Sequence, residues 1–589
     1  MDDKKLDQAR HSAAHMLAAA VLELYPKSKI AIGPTVDDGF YYDIEFPEDV
    51  VISDRELPKI EKRMKRLIKQ NIDFVEKKVD AKEAKKLIKS SPYKKELIEE
   101  LEKEGQEIKI YESGDFVDLC EGGHVKNSKE IPIDGLKLHR VAGAYWRGDE
   151  KNKMLTRIYG LLFATKKELD DYLELLEQAK LRDHRKLGKE LDLFLFSDLV
   201  GKGLPLFTER GATIRRELER AVVDEERRRG YEHVITPDLA SVELYKTSGH
   251  YPYYKDTMYA PITVDDEEII LRPMSCPHHF MLYKSRPHSY KELPLRMAEL
   301  VKLYRYEKSG ELSGLMRVRG FCLADSHIFV TQDQAGDEIK EVIELIEYFA
   351  SVFGLEKGKD YLYRLSLGDR EDEKKYYKND EMWDLGEGVL RKVLQDMDAP
   401  FYEAEKEGAF YGPKIDIQMK NVLGKEDTAF TVQYDFCLPE RFDLKYIDAA
   451  GKEKQPIVIH RSSIGAIERT MAFLIEHYAG EFPLWLSPEH VAIISVGENH
   501  KEYCYELAKE LEEKGLRVKV DDSDETVGKK ISKAVKMKYP YMLVIGDKEM
   551  GSKKLMVRIR GQKDLKEIDK SKFISQTVKL IEKKSLDLE

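Results

Sequence analysis

The chain has 589 residues, too many for a single hydrophobic core, so about three or four domains are expected. Charged residues make up 35% and hydrophobic ones 42%, and no apolar run nears the ~20 residues that would span a bilayer, so no membrane partner is expected. The net charge of −11 argues against blanket nucleic-acid coating but allows a local basic surface, and five cysteines with no secretory signal in "MDDKKLDQAR" point to the reducing cytoplasm.

Residues 8–24 read as an alanine-rich helix with His11 and His15 four apart, hence on one face. "HSAAH" lacks the Glu that a zinc-protease helix uses as base, so the pair alone leaves metal binding, catalysis and packing open. Residues 31–46 read as strands around an Asp-Asp-Gly turn. Residues 56–71 read as a helix with Ile60, Met64, Leu67 and Ile68 on one stripe. The Lys- and Glu-rich stretch 75–110 reads as solvated helix faces. "GDFVDLCEGGHV" (114–125) and 138–160 are rich in Gly and aromatics and sheet-like. Residues 166–184 form a periodic helix whose Leu169, Tyr172, Leu173, Leu176 and Ala179 share a face, as a connector would. A long mixed region follows to "FPLWLSP" (482–488), and the remainder has the strand–helix–strand order of a small α/β domain. No internal repeat or low-complexity tract is visible.

Three segments of the mixed region carry chemistry. "GATIRRELERAVVDEERRRGYEHVITPDL" (211–239) is a helix ending in a strand with Pro237. "LVKLYRYEKSGELSGLMRVRGF" (300–321) reads as a hairpin with Arg305, Glu307, Arg317 and Arg319 on its strands. Arg binds phosphate bidentately and Glu accepts from an amino group, a set suited to a triphosphate; a surface hairpin with ion pairs is the plain alternative. "VIHRSSIGAIERTMAFLIEHY" (458–478) puts Gly465 at a close approach and Arg469 one turn into a helix.

In this order, and with "RPMSCPHHF", "LPLRMAEL", "DSHIF", "FYGPKIDI" and "IHRSSIGAIER", these segments resemble motifs 1, 2 and 3 of the class II aminoacyl-tRNA synthetases, and within them the threonyl-tRNA synthetase family. "ETVGKKI" and "YPYMLVIGDKE" resemble that family's anticodon-binding domain, and the resemblance covers nearly the whole chain. It implies an α+β multidomain fold: an α+β editing domain (1–162), a linker helix (163–184), a class II antiparallel sheet flanked by helices (185–486), and a mixed α/β anticodon-binding domain (487–589). The small β-rich module that usually precedes the editing domain in bacterial relatives is not expected here, and neither chemistry depends on it.

The resemblance also implies roles. Cys276, His327 and His460 would hold one Zn²⁺ per subunit, leaving a position for threonine's amino and hydroxyl groups, which valine cannot match. Asp325 would accept from the substrate hydroxyl, and Met274 and Tyr411 would line the amino-acid pocket. Arg305 would clamp the α-phosphate and carboxylate. Glu307, Arg317, Phe321, Gln433 and Arg469 would complete the site for ATP, which brings Mg²⁺. His250 would serve as base toward the tRNA ribose hydroxyl. His11, His15, Lys94, Asp118, Cys120 and His124 would hydrolyse mischarged seryl-tRNA; His11, His15, Cys120 and His124 could also bind zinc, as in related editing domains, and the resemblance leaves both a metal-bound and a metal-free site open. Asp524 (where the family often has Asn), Glu549 and Arg558 would read the anticodon. The implied partners are tRNA(Thr), ATP, L-threonine and a second copy of the chain. Motif 1 would form that homodimer through the few apolar positions of its charged helix and the following strand.

Four positions depart from the family pattern. Leu323 and Ala324 stand where Gln and Asp are common, and Asp427 and Thr428 where Trp-Gln is usual; both pairs are expected beside the substrate pocket. The retained arginines and zinc set argue against a non-catalytic RNA-binding paralogue. The zinc set and editing segment argue against a serine or proline enzyme.

Overall fold

The computed structural model describes residues 1–88 and 91–589. The chain forms two compact units, Met1–Glu177 and Gln178–Glu589.

In the first unit, helix α1 (Asp3–Leu24) is capped by Asp2, which accepts from Lys5 N–H at 2.7 Å. Its alanine face is buried against strand β1 (Gly39–Glu45) and helix α2 (Leu57–Ile68). All four residues of the expected α2 stripe are buried. The stretch 75–110 is not simply solvated helix. It opens with strand β2 (Phe74–Lys78), contains helix α3 (Pro92–Lys103), and runs into β3 (Lys109–Ser113), which pairs with β4 (Phe116–Leu119). β2 is an edge strand with only Phe74 buried, and an edge accepts Lys and Glu readily. Strands β5 (Leu136–Tyr145) and β6 (Met154–Leu162) pair with each other, and β6 pairs with β1. The connector helix α4 (Lys166–Arg182) buries only Leu169; the rest of its expected face is half-buried.

In the second unit, helix α5 (Glu209–Arg228) buries Ile214, Leu218, Ala221 and Val222 in its own core. Those four are spent in the chain's own core, whereas Ala212 and Val223 of the same helix are half-buried. The strand after it, β7, is only Glu232–His233, and Pro237 lies beyond it. Helix α6 (Cys276–Lys284), strands β8 (Leu295–Tyr304) and β9 (Gly320–Val330), and helix α7 (Ala335–Val352) follow. Then come β10 (Tyr361–Ser366), β11 (Phe401–Ala404), β12 (Lys414–Lys420), β13 (Glu426–Asp435), β14 (Ile457–Ala466) and helix α8 (Ile467–His477). The eight strands are ordered β7-β8-β9-β14-β13-β12-β10-β11. All neighbours are antiparallel except the two edge pairs, which are parallel.

The chain ends in a sheet of β15 (Val491–Ser495), β16 (Val518–Asp521), β17 (Tyr541–Ile545), β18 (Lys554–Ile559) and β19 (Leu565–Asp569). β15, β16 and β17 are parallel, and β18 and β19 antiparallel. No helix among the described residues is long and apolar enough to cross a membrane.

Candidate functional site

Strand register builds the main site. His327 on β9 is directly opposite His460 on β14, and Gln433 on β13 is opposite His460 from the other side. Opposed residues on antiparallel strands present their side chains on one face, with Cβ atoms about 5 Å apart. Cys276 is the first residue of α6. Its sulfur and one ring nitrogen of each histidine lie within 4.8 Å of one another, and all three residues are buried. Burial pushes the Cys276 thiol well above its ordinary value and the His327 imidazole well below its own. His460 Nε2 lies 2.7 Å from Asp435 Oδ2, and the other Asp435 oxygen accepts from Cys437 and Leu438 N–H, both at 2.9 Å. This leaves His460 Nδ1 with the lone pair.

Asp325 is two residues before His327, hence on the same face of β9. It accepts from the Ser275 hydroxyl, and burial raises its carboxyl. The Tyr411 hydroxyl donates to Gln433 Oε1, and its ring stacks on His460 with centroids 5.1 Å apart.

The motif 2 residues are not on the hairpin strands, as the sequence suggested. The ladder ends at Tyr304 and Gly320, and Arg305, Glu307, Arg317 and Arg319 lie on the connection between. The Arg305 guanidinium lies over the Phe321 ring at 5.3 Å, and Arg317 Nε donates to Glu307 Oε2 at 2.8 Å. Arg469, in the first turn of α8, donates to the Met316 and Thr428 carbonyls at 3.3 and 3.2 Å. Gly465 has φ +73°, and a Cβ there would stand 2.6 Å from the Ala429 carbonyl oxygen. The close approach is thus to the neighbouring strand.

Met274, Cys276, Arg305, Glu307, Arg317, Phe321, Asp325, His327, Tyr411, Gln433, His460 and Arg469 all line one cavity of about 340 Å³. Of the four departures, Leu323 and Thr428 line it too. Ala324 does not: strand alternation turns it into the core. Asp427 borders a separate small pocket and accepts from Asn421 at 3.2 Å. Thr428 Oγ1 accepts from Gln418 Nε2 at 2.8 Å. His250 lies behind the lining, fully buried, with Nδ1 2.7 Å from Ser248 Oγ and its ring centroid 6.5 Å from that of Tyr411. Burial, then His460, Arg441 and Arg305, bring its pKa down to about 3.

The first unit holds a second cluster. His11 and His15 face Cys120 and His124, with ligand atoms within 4.8 Å of one another. Cys120 Sγ is 3.3 Å from His11 Nε2 and 3.2 Å from His124 Nε2. Ser12 donates to the Gln8 carbonyl at 2.9 Å, so the 3.1 Å contact with His124 Nδ1 makes that nitrogen the donor. Burial lowers all three imidazoles, that of His124 to about 2, and raises the Cys120 thiol to about 11. Beside them Lys94 Nζ is 2.7 Å from Asp118 Oδ1, the Tyr42 hydroxyl donates to Asp118 Oδ2, and His15 Nε2 is 3.6 Å from that oxygen. His11, His15, Lys94, Asp118 and Cys120 line a cleft of about 760 Å³.

In the terminal sheet Asp524 and Glu549 follow the C-terminal ends of the parallel strands β16 and β17. Arg558 pairs with Met542, so it is set back toward the start of β17. Ser12, Tyr42 and Asp435 were not anticipated from sequence. Strand periodicity offered a signal only for Asp435, two residues past Gln433.

Comparison with known proteins agrees with this architecture. The model of the tRNA synthetase class II core domain (G, H, P, S and T) matches residues 259–478, that of the anticodon binding domain 490–580, and that of the threonyl and alanyl tRNA synthetase second additional domain 108–159. The threonine–tRNA ligase of Anoxybacillus flavithermus is 50% identical over 581 residues, covering 98% of this chain and 89% of the relative. That of Geobacillus kaustophilus is 51% identical over 573 residues, covering 97% and 87%. The crystal structure of the RNA binding domain of threonyl-tRNA synthetase from Cryptosporidium parvum superposes with a TM-score of 0.64 at 34% identity, covering 69% of this chain and 99% of that one. The chain belongs to the threonyl-tRNA synthetases, class II ligases that use ATP to join threonine to tRNA and that carry an editing domain.

Proposed function

We propose that the 340 Å³ cavity forms threonyl-adenylate and passes threonine to tRNA(Thr), with one Zn²⁺ selecting the amino acid, and that the first-unit cluster hydrolyses seryl-tRNA(Thr). The observation that supports this best is the His327–His460 register with Cys276 above it, inside the cavity that carries Arg305, Arg317 and Arg469. One thiolate and two imidazoles suit zinc, and the Asp435 contact that orients His460 is the kind metal-bound histidines make. When bound, the ion supplies a Lewis-acid position that an amino group and a neighbouring hydroxyl chelate together and that valine cannot fill.

The residues around it do the rest. Asp325 accepts from the substrate hydroxyl, and Met274 and Tyr411 shape the pocket. Arg305 holds the substrate carboxylate against the α-phosphate, which the carboxylate attacks as pyrophosphate leaves. Arg317 and Arg469 take the developing phosphate charge, Glu307 and Gln433 orient the nucleotide, and Phe321 stacks on adenine. ATP enters with Mg²⁺, which offsets its charge. His250, neutral through burial, is the nearest candidate base for the tRNA ribose hydroxyl, acting from behind Tyr411.

In the first unit the neutral imidazoles of His11 and His15 accept a proton from water as it attacks the seryl ester. The ester C–O bond breaks, and the ribose oxygen leaves with a proton. Lys94, held by Asp118, positions the acyl end, with Cys120 and His124 closing the site. Asp524, Glu549 and Arg558 contact the anticodon. A homodimer would form through α5 and the segment after it, where Ile235 is 95% exposed.

The test is pyrophosphate exchange on zinc-quantified full-length protein with threonine, serine, valine and proline, alongside seryl-tRNA(Thr) hydrolysis. Strong exchange with threonine, weaker with serine and none with valine is expected. No exchange with threonine at about one zinc per chain would overturn the reading.

A further inference from the structure

His279 is buried on α6, three residues after Cys276. Its Nδ1 is 2.8 Å from His327 Nδ1, and its Nε2 is 3.1 Å from Glu299 Oε2. Two ring nitrogens at that distance share one proton, so one donates and the other accepts. Glu299 decides which. This buried side chain on β8 accepts from Thr236 N–H at 3.0 Å and the Thr236 hydroxyl at 2.8 Å, with Arg272 Nη1 at 3.5 Å. Surrounded by donors, it is a carboxylate with no proton to give. In a neutral His279, Nε2 therefore carries the N–H and Nδ1 carries the lone pair. His327 Nδ1 must donate to it, which leaves the His327 lone pair on Nε2.

We propose that His279 and Glu299 are positioning residues that fix His327 in the neutral tautomer able to offer Nε2 to the ion. His460 is fixed in the opposite sense, since Asp435 takes its Nε2–H and leaves Nδ1. A metal-bound histidine usually donates directly to a carboxylate or a carbonyl. Here a second imidazole stands between, carrying the carboxylate's preference across one more hydrogen bond. Glu299 also accepts from Thr236 N–H, so the relay is anchored outside the cavity.

The inference rests on the zinc reading above, and one experiment separates the two. Full-length protein and its Cys276→Ser, His279→Asn, His279→Leu and Glu299→Gln variants are loaded with Zn²⁺. Bound metal is counted, its release to a chromophoric chelator is timed, and the visible spectrum of the Co²⁺-loaded forms is recorded. His279→Leu and Glu299→Gln should bind zinc 10- to 100-fold more weakly, about the usual effect of removing such a partner. His279→Asn, which keeps an acceptor near the Nδ1 position, should fall between wild type and His279→Leu, and the Co²⁺ bands should shift in the same order. Wild-type protein that holds zinc while His279→Leu and Glu299→Gln release it at the wild-type rate would overturn the relay and leave the zinc site standing. Wild-type protein that binds no more zinc than Cys276→Ser would overturn both. Asn weaker than Leu would mean that His279 acts by packing, which also overturns the relay. Glu299→Gln removes a buried charge beside Arg272, which keeps Asp238 at 2.9 Å and the Thr236 and Lys302 carbonyls, and it is the variant at risk of unfolding; the two His279 variants decide the matter without it.

Discussion

Lys94 and Asp118 form a buried ion pair beside the first-unit cluster, with their side chains 4% and 2% exposed. Asp118→Asn preserves shape and an oxygen for Tyr42, but leaves the Lys94 ammonium with only the Leu119 carbonyl at 3.2 Å. Removing one partner of a buried pair costs about 3–5 kcal/mol, because the other charge stays behind desolvated. That is a factor of about 150 to 4,000 in the opening equilibrium of the unit. Lys94→Met should cost less, because Asp118 keeps the Tyr42 hydroxyl. The double variant, with neither charge, should recover most of the Asp118→Asn loss. Hydrogen exchange on the full chain reads this directly: amides of Met1–Glu177 should lose protection in Asp118→Asn and regain it in the double variant. Seryl-tRNA hydrolysis should fall in all three variants, with threonine-dependent exchange unchanged. A double variant less stable than both singles, or Asp118→Asn protected like wild type, would refute the reasoning.

Gly465→Ala must place a side chain at φ +73° against the Ala429 carbonyl, so urea unfolding should show at least about 1–2 kcal/mol lost, together with slower threonine-dependent exchange. His184 holds Glu476 through Nδ1 at 2.7 Å and accepts from Leu315 N–H at 3.1 Å, tying the motif 2 connection to α8. His184→Phe strands that N–H, a loss of about 1–3 kcal/mol, and should raise KM for ATP more than KM for threonine in steady-state assays. His490 is buried, and burial with Arg517 brings its pKa down to about 2. The unfolded chain protonates this histidine near pH 6.5 and the native chain does not, so its stabilisation is intact above that pH and is lost on acidification. Urea unfolding should show wild type losing about 2 kcal/mol more than His490→Asn between pH 6 and pH 4.5.

Local periodicity made α1, the α2 stripe and the class of the C-terminal sheet legible, because each pattern spans one element. The edge strand β2 was hidden by its own solvation: Lys and Glu dominate its sequence whether it is helix or edge. The motif 2 arginines were placed on strands because alternation continues past the last rung of the ladder, which only the pairing of β8 with β9 defines. The Cys276–His327–His460 set was beyond spacing altogether. Three distant segments meet there through strand register and a helix start, and only the family resemblance named them. Hydrogen-bond direction was also invisible. Nothing in "CPHHF" says which of its two histidines faces His327, and it is the geometry that singles out His279.

In the function proposed above, the two sites divide one discrimination problem between them. A chelating centre that reads an amino group and a hydroxyl separates threonine from valine, but serine carries both groups. Serine then differs only by a methyl, worth about 1–3 kcal/mol in an apolar pocket. The cavity wall gives little help, since Leu323 is apolar and Thr428 is already engaged with Gln418. Neither side chain provides a free polar group whose loss would penalise serine. On the proposed reading the rejected amino acid is removed after transfer, by a cluster in a separate compact unit whose cleft is larger than the proposed synthetic cavity, about 760 against 340 Å³. A cleft of that size suits the end of a tRNA carrying its amino acid rather than a free amino acid. Selectivity there would come from what the half-buried His11 and the buried His15 and Lys94 do to the ester. On this argument a variant that disables the cluster leaves threonine charging intact and raises the serine carried on tRNA(Thr) toward the ratio set by one methyl group.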